Sequence, residues 1–448
     1  MTSTDPRPHL WKVVGNTAMA KLVVMGLSGV LGIVTSRLII QHFGTDAYAQ
    51  YGLLASFPAL LPFADLGIAA VVINAIAGSK NPRSDDYVRR AVTTAFRILI
   101  VSGGIIILVG VVITALGWWP LLLGNALLPE GGSLAAFLCL AVFGLVLPLT
   151  VGQRILVGLG KTTTQVASQS VVAPFMILSV LTVLALSAPA GSFLAVFSYI
   201  GNALVSVICL IIAAKAMSPQ LKNAMRDVFR LKSVRGVAVI GLAWPMLVQM
   251  VALPVAMQSD RLLLSHLADS DELARYNLAA QLFGIILQTI AAAGVALWPI
   301  YARARSDARI DSPIVPTLYF LLGGVVLGGA LGVVSPWIVA FVSDGQLEFD
   351  GWLLGGFIAF VGLQAAKYPI GMYMTDKQGL VFQVVPIVLM IPLNIGISWW
   401  LIGLVGAGGT VIGSAIAVLL CQVLPNLFYV LNDLKKRRAQ ENSTYVDQ

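Results

Sequence analysis

Seven bases and two acids stand inside runs of apolar residues: Lys21, Arg37, Arg97, Arg154, Arg261, Arg275 and Lys367, with Asp65 and Asp260. A charge at the centre of a lipid-embedded helix costs roughly 2.5–3.5 kcal/mol on insertion scales, so each needs a physical reason. Bases in such places can hold a phosphate or pyrophosphate, arginine with a planar fork of donors. Carboxylates there can take up a proton or a sodium ion, or neutralise a neighbouring base. Arg97 and Arg154 fall within one or two turns of helix ends, where a long side chain reaches back to water. Arg37, Arg261 and Arg275 lie near the opposite ends, as interface anchors or as contacts for an anionic ligand.

Two of these arginines belong to a repeat. Residues 36–56 read SRLIIQHFGTDAYAQYGLLAS and residues 260–281 read DRLLLSHLADSDELARYNLAAQ. Arg37 and His42 recur as Arg261 and His266, 224 positions later. Past a one-residue insertion, Ala49, Tyr51, Leu53 and Ala55 recur as Ala274, Tyr276, Leu278 and Ala280. The chain therefore reads as a duplicated unit.

Composition says what the unit is made of. The 448 residues are 58% hydrophobic and 11% charged, where a soluble domain carries about 25% charge. Apolar stretches long enough to cross a ~30 Å hydrocarbon core as helices recur throughout. Lipid leaves unpaired backbone groups no partner, and the runs lack the alternation of barrel strands, so the fold expected is all-α. Twelve spans are expected, over residues 11–42, 46–79, 91–116, 133–158, 165–187, 192–214, 237–267, 271–300, 313–342, 351–375, 380–402 and 404–431. All but the seven intramembrane bases among the 28 Lys and Arg fall in every second loop or in the tails. The positive-inside rule then puts both termini in the cytoplasm. The net charge of +8 is thus a topology signal and implies no nucleic acid. The first run is too long for a signal-peptide core and reads as a retained span. Cys139, Cys209 and Cys421 lie in apolar runs and suggest packing, not disulfides.

The longest basic connection divides the chain. Residues 1–214 are expected to form one six-helix lobe, 215–236 a cytoplasmic connection, 237–431 a second six-helix lobe, and 432–448 a cytoplasmic tail. Six spans per lobe give both copies the same orientation, with a substrate path between them. In a hairpin turning near Gly44, Lys21 and Asp65 fall at nearly equal depth, offset by ~3 Å at 1.5 Å rise per residue. They form either a neutralised pair or an ion-responsive one. The repeat offset carries them onto Pro245 and Ile290, so the second lobe lacks the pair. There Gln249 matches the depth of Gln288, and Gln258 that of Gln281. These amides bond between helices or meet a hydroxyl-rich substrate. Ionic groups in one lobe and neutral ones in the other suggest a division of labour. Asp260 and Arg261 are neighbours and point apart; an inward Asp260 would meet Arg37 or Lys367. Pro58, Pro62, Pro245, Pro254, Pro386 and Pro392 each remove a helix hydrogen bond, as at transporter hinges.

At RLIIQHFGTDAYAQYGLLASFPALLPFADLG, its echo SDRLLLSHLADSDELARYNLAAQ and the closing LWPIYARARS, the chain resembles the polysaccharide-biosynthesis flippases. These are the O-antigen or Wzx-like branch of the multidrug/oligosaccharidyl-lipid/polysaccharide (MOP) exporter superfamily. The resemblance implies two six-helix lobes in a V, working by alternating access in a bacterial inner or plasma membrane. It implies a polyprenyl-(pyro)phosphate-linked oligosaccharide as cargo, moved to the outer leaflet and driven by proton or sodium exchange. A polysaccharide polymerase and glycosyltransferases would be partners. The family's cation-lined cavity is matched in kind at Lys21, Arg37, Arg261 and Lys367, with Arg275, Gln249, Gln258, Gln281 and Gln288 as further cavity candidates. Asp65 and Asp260 are the ion-coupling candidates. A drug or organic-cation exporter would want acids in the cavity, and the sequence is poor in them. The lipid II flippases usually carry fourteen spans. A membrane glycosyltransferase or polymerase needs carboxylates in a sizeable outer loop, and the outer loops are short. No nucleotide-binding loop, HExxH, CxxC or nucleophile elbow is present, so neither an enzyme nor a cofactor is expected.

Overall fold

Peptide groups surrounded by hydrocarbon must bond among themselves. In the computed structural model they do so as helices, and no strand occurs among the described residues. Those residues are 7–65, 67–230, 244–295, 297, 301, 304 and 311–446. Nine helices among them are long and apolar enough to cross a membrane. They coincide with nine of the twelve expected spans. The other three are the two of the opening hairpin and residues 237–267, parts of which lie outside the described residues. The chain divides into two compact units, Met1–Leu242 and Ala243–Gln448.

The first unit opens with α1 (Arg7–Ala55), which breaks at Gly44, where φ is 86° and ψ 171°. A side chain would be strained at that φ. The second expected span is broken, not continuous. After α1 come a turn at Phe57–Leu60, a 3₁₀ turn at Pro62–Asp65 and then α2 (Ile68–Ala77). Pro58 lacks the N–H that would meet the Leu54 carbonyl, and the Tyr199 hydroxyl donates to that oxygen instead, at 2.7 Å. Ser102 Oγ likewise donates to the Ala64 carbonyl at 2.6 Å. A uniform 1.5 Å rise therefore does not carry as far as Asp65.

Next come α3 (Asp86–Ala115), α4 (Gly132–Val146) and α5 (Val151–Gly158), the last two joined through a 3₁₀ turn at Leu147–Thr150. Asp85 caps α3. Ser79 Oγ and the Tyr87 N–H donate to its carboxyl and lower its pKa, so the cap holds at neutral pH and weakens as pH falls through that lowered value. Then follow α6 (Thr162–Ser168), α7 (Val172–Ala185), α8 (Leu194–Ala216) and a short α9 (Gln220–Asp227). Arg97 does more than reach for water. Its guanidinium donates to the carbonyls of Asp227, Val228 and Arg230 at 2.7, 2.8 and 3.0 Å, capping the end of α9. Arg154, too, has a protein partner: its Nη2 lies 3.6 Å from Asp65 Oδ2.

The second unit holds α10 (Trp244–Leu267), α11 (Ser270–Val295), α12 (Ile314–Ser343), α13 (Gly351–Tyr373), α14 (Lys377–Val405), α15 (Ala407–Val418) and α16 (Leu424–Val446). A π turn at Leu419–Val423 links α15 to α16. Repeated residues make repeated contacts. His42 Nδ1 lies 3.0 Å from the Leu38 carbonyl and His266 Nδ1 2.7 Å from that of Leu262.

Where α3 crosses α4, Gly103 faces the Gly144 backbone, and a Cβ on Gly103 would strike the Gly144 carbonyl oxygen. Gly104 next to it faces open space. Gly103→Leu should cost about 1–3 kcal/mol by overpacking and lower the melting temperature of the detergent-purified protein. Gly104→Leu should leave it unchanged. Equal effects would contradict this crossing.

Candidate functional site

Small residues let the helices of the second unit approach closely. A Cβ on Gly413 of α15 would strike Ser398 of α14, so only glycine permits that contact. The contact brings the polar residues of α14 and α15 against α10. Asp260, on α10, is 3% exposed. Its Oδ2 accepts from Ser414 Oγ at 2.9 Å and from the Tyr276 hydroxyl at 3.3 Å, while Oδ1 accepts from Asn394 Nδ2 at 3.4 Å. Asn394 is held in turn, donating to the Ala256 carbonyl at 2.6 Å. Ser414 Oγ also lies 3.0 Å from Asn394 Oδ1. A hydroxyl has one hydrogen, so Ser414 donates either to Asp260 or to Asn394.

Arg261 turns the other way, as neighbours on a helix must. Its Nε donates to Asn277 Oδ1 at 2.8 Å and its Nη1 to Gln258 Oε1 at 2.7 Å. The guanidinium carbon sits 5.7 Å from the centre of the Tyr276 ring. Tyr276 thus touches Asp260 with its hydroxyl and Arg261 with its face. Phe357 packs on Tyr276 and stacks on Phe283, with centroids 5.9 and 4.9 Å apart.

Asp260, Arg261, Tyr276 and Phe357 border a cavity of about 370 Å³, with Gln258, Gln288, Gln364, Lys367, Tyr368 and Ser414 also in its wall. Gln364 and Lys367 are three apart on α13 and so share a face. Gly294 makes room for Tyr368, whose ring a Cβ there would strike. Lys367 Nζ lies 5.6 Å from the centre of that ring. It makes no ion pair with Asp260 and no hydrogen bond among the described residues. Two bases and one enclosed acid line the cavity.

The sequence candidates are thus partly gathered. Asp260, Arg261, Lys367, Gln258 and Gln288 share this cavity. Gln249 instead donates to the Leu380 carbonyl at 3.1 Å, and Gln281 lies outside the wall. Arg275 is ion-paired to Glu272 at 2.9 Å, and Glu272 accepts from the Ala407 N–H at 2.6 Å, satisfying the start of α15. In the first unit, Gln41, with its amide oxygen turned to the guanidinium, accepts from Arg37 Nε and Nη2 at 3.2 Å. Asp65 Oδ1 accepts from the Gly67 N–H at 2.9 Å, beside its pair with Arg154. The Lys21 side chain lies outside the described residues. A first-unit cavity of about 210 Å³ beside the Pro58 break is lined by uncharged groups, among them Thr150, Gln153, Asn202 and Ser206. Among the described residues, an ionic cavity lies in the second unit, while the expected division rested on Lys21, whose side chain lies outside them. Comparing opening hairpins alone left out the walls that later helices supply. Tyr276, Gln364, Asn394 and Ser414 were missed as site residues. Only the Gln364/Lys367 spacing and the repeated tyrosine could have signalled two of them.

The sequence profile of a family described as polysaccharide biosynthesis protein matches residues 10–305. No curated protein matches the sequence at a significant level. Among solved structures, the chain is similar to a multidrug resistance MATE family transporter of the MOP superfamily in an inward-facing conformation. Identity there is 12%, over 94% of this chain and 99% of that one, with a TM-score of 0.64. It is also similar to the lipid II flippase MurJ in an inward closed conformation, at 13% identity over 94% and 90%, with a TM-score of 0.66. A third is a MOP superfamily transporter from Pyrococcus furiosus, at 14% identity over 95% and 96%, with a TM-score of 0.53. At such identities the likeness is one of fold.

Asp260→Leu would strip an acceptor from the Tyr276 hydroxyl and from Ser414. Each buried polar group left unpaired costs about 1–3 kcal/mol. The variant should melt well below the parent, and Asp260→Asn, which keeps an acceptor oxygen, should melt between the two. A Leu variant as stable as the parent would contradict the network.

Proposed function

As this chain belongs to the polysaccharide biosynthesis protein family, we propose that it is a flippase for a polyprenyl-(pyro)phosphate-linked oligosaccharide. It carries the cargo from the cytoplasmic to the outer leaflet by alternating access. The observation that carries this reading is the Lys367 ammonium in the wall of the second unit's cavity, with an aromatic ring and no carboxylate beside it. A half-buried cation in the wall of a membrane-embedded cavity, without a counter-ion, is costly. A pyrophosphate supplies the missing charge. Arg261 keeps Nη2 free of hydrogen bonds among the described residues, since its bonds run from Nε and Nη1. That nitrogen and Lys367 Nζ are donors for one anion. The amides of Gln258, Gln288 and Gln364 offer hydrogen bonds to hydroxyls. A drug-cation exporter is supported less well, because this wall holds two bases to one acid.

Coupling to a proton or sodium ion is assigned to Asp260. Ionised, it accepts from Ser414, Tyr276 and Asn394. Protonated, it donates to Ser414 Oγ, and Ser414 turns its hydrogen to Asn394 Oδ1, 3.0 Å away. The network is satisfied in both states, as a site that loads and unloads must be. Tyr276 links this carboxylate to Arg261 and so relates the ion to the anionic cargo. Both termini are placed in the cytoplasm, from the distribution of bases in the loops.

Arg261→Ala and Lys367→Ala should each lower export of lipid-linked glycan about tenfold or more in a complemented deletion strain, with protein level unchanged; losing a charge-assisted hydrogen bond costs about 1.5–3 kcal/mol. Full complementation by both variants would remove these bases from the cargo path. Export by Asp260→Asn should lose the parent's dependence on pH or sodium. A dependence identical to the parent's would move coupling elsewhere.

A further inference from the structure

We propose that the end of α8 and the outward face of α9 form a binding site for the anionic phospholipid headgroups of the bilayer around the protein. The inference does not depend on the cargo. A recess of about 800 Å³ lies there, lined by Lys215, Ser218, Lys222, Met225, Arg226 and Phe229. Lys215, Lys222 and Arg226 are exposed and make no hydrogen bond or ion pair among the described residues. The only acid of α9 faces away. Asp227 is 8% exposed, 3.6 Å from Arg89 and 3.9 Å from Arg230. The recess thus presents positive charge without compensation.

Beside those bases stand two large apolar side chains that no described residue covers, Met225 at 47% and Phe229 at 86% exposure. Bases mixed with an aromatic ring are the composition of a surface that sits at a headgroup boundary, rings among acyl chains and cations on phosphates. A free phosphate or nucleotide would engage the bases and leave Phe229 bare. Position agrees. The candidate membrane span Gly191–Ala216 ends one residue past Lys215, so the recess opens where the hydrocarbon stops. By the positive-inside rule this is the cytoplasmic leaflet.

The site is also pre-set. Arg97 holds three carbonyls at the end of α9, and Thr93 Oγ1 lies 3.2 Å from the Ala224 carbonyl and 2.8 Å from that of Arg89, between which its one hydrogen is shared. Gln220 Nε2 donates to the Asp85 carbonyl at 2.6 Å, and Arg83 Nε to that of Ala216 at 2.9 Å. Leu221 and Ala224 are buried. A helix clamped this way has little ordering left to do when lipid arrives.

Phe229→Cys in the full chain gives a selective labelling position, because Cys139, Cys209 and Cys421 are buried. The protein, carrying an environment-sensitive fluorophore there, is reconstituted in mixed phosphatidylcholine and phosphatidylglycerol vesicles. One lipid or the other is brominated near the headgroup. Brominated phosphatidylglycerol should quench about twofold more than brominated phosphatidylcholine at equal mole fraction, and the excess should vanish at high salt. Lys215→Gln, Lys222→Gln and Arg226→Gln together should abolish it. Equal quenching by the two lipids, an excess untouched by salt, or an excess that survives the triple change would each overturn the proposal. The salt titration uses the unaltered bases, so it decides the matter even if the triple variant folds poorly.

Discussion

Hydrocarbon offers no hydrogen-bond partner, and the rest of this structure follows from that constraint. Helices close their own backbone bonds except where proline interrupts them, and polar side chains inside are under pressure to find partners. Asp260 finds three neutral donors on α11, α14 and α15, and Asp65 finds Arg154. Against that background an unanswered charge carries information. Among the described residues Lys367 makes no hydrogen bond or ion pair, and the Tyr368 ring lies beside it. Under the function proposed above, the anionic headgroup of the cargo would answer that charge, which a cationic drug would not.

The same constraint explains where the helices bend. Proline removes a donor, and the orphaned carbonyl must be served by a side chain. Tyr199 serves Leu54 across the Pro58 break, and Ser335 Oγ serves Gly332 beside Pro336 at 2.8 Å. At Pro58 the bend leaves a neutral cavity in the first unit.

Much of the fold was legible in the sequence because length, apolarity and the placement of bases report on helices directly. The duplicated hairpin is read from the sequence, and His42 and His266 each lie within bonding distance of the carbonyl four residues back, Leu38 and Leu262. The site was less legible. Asn394, Ser414 and Gln364 carry no charge, and uncharged polar residues are common enough in membrane helices that spacing alone does not say which ones meet. Arg97 sits near a helix end whether it reaches water or caps α9, so sequence position could not separate the two. The depth of Asp65 was argued from an unbroken helix, and Pro62 and Gly67 break it. Family membership gives a reason to expect a saccharide-linked lipid. The residues that would hold it come from geometry.

The central claim is that the second unit's cavity receives an anionic headgroup at Lys367. Native mass spectrometry of the detergent-solubilised protein, titrated with a polyprenyl diphosphate and with the matching uncharged polyprenol, tests it most directly. The account predicts that the diphosphate binds about tenfold tighter, or ~1.4 kcal/mol, and that Lys367→Met erases the difference while polyprenol binding stays the same. Equal affinity for the two lipids, or a preference that Lys367→Met leaves intact, would contradict it.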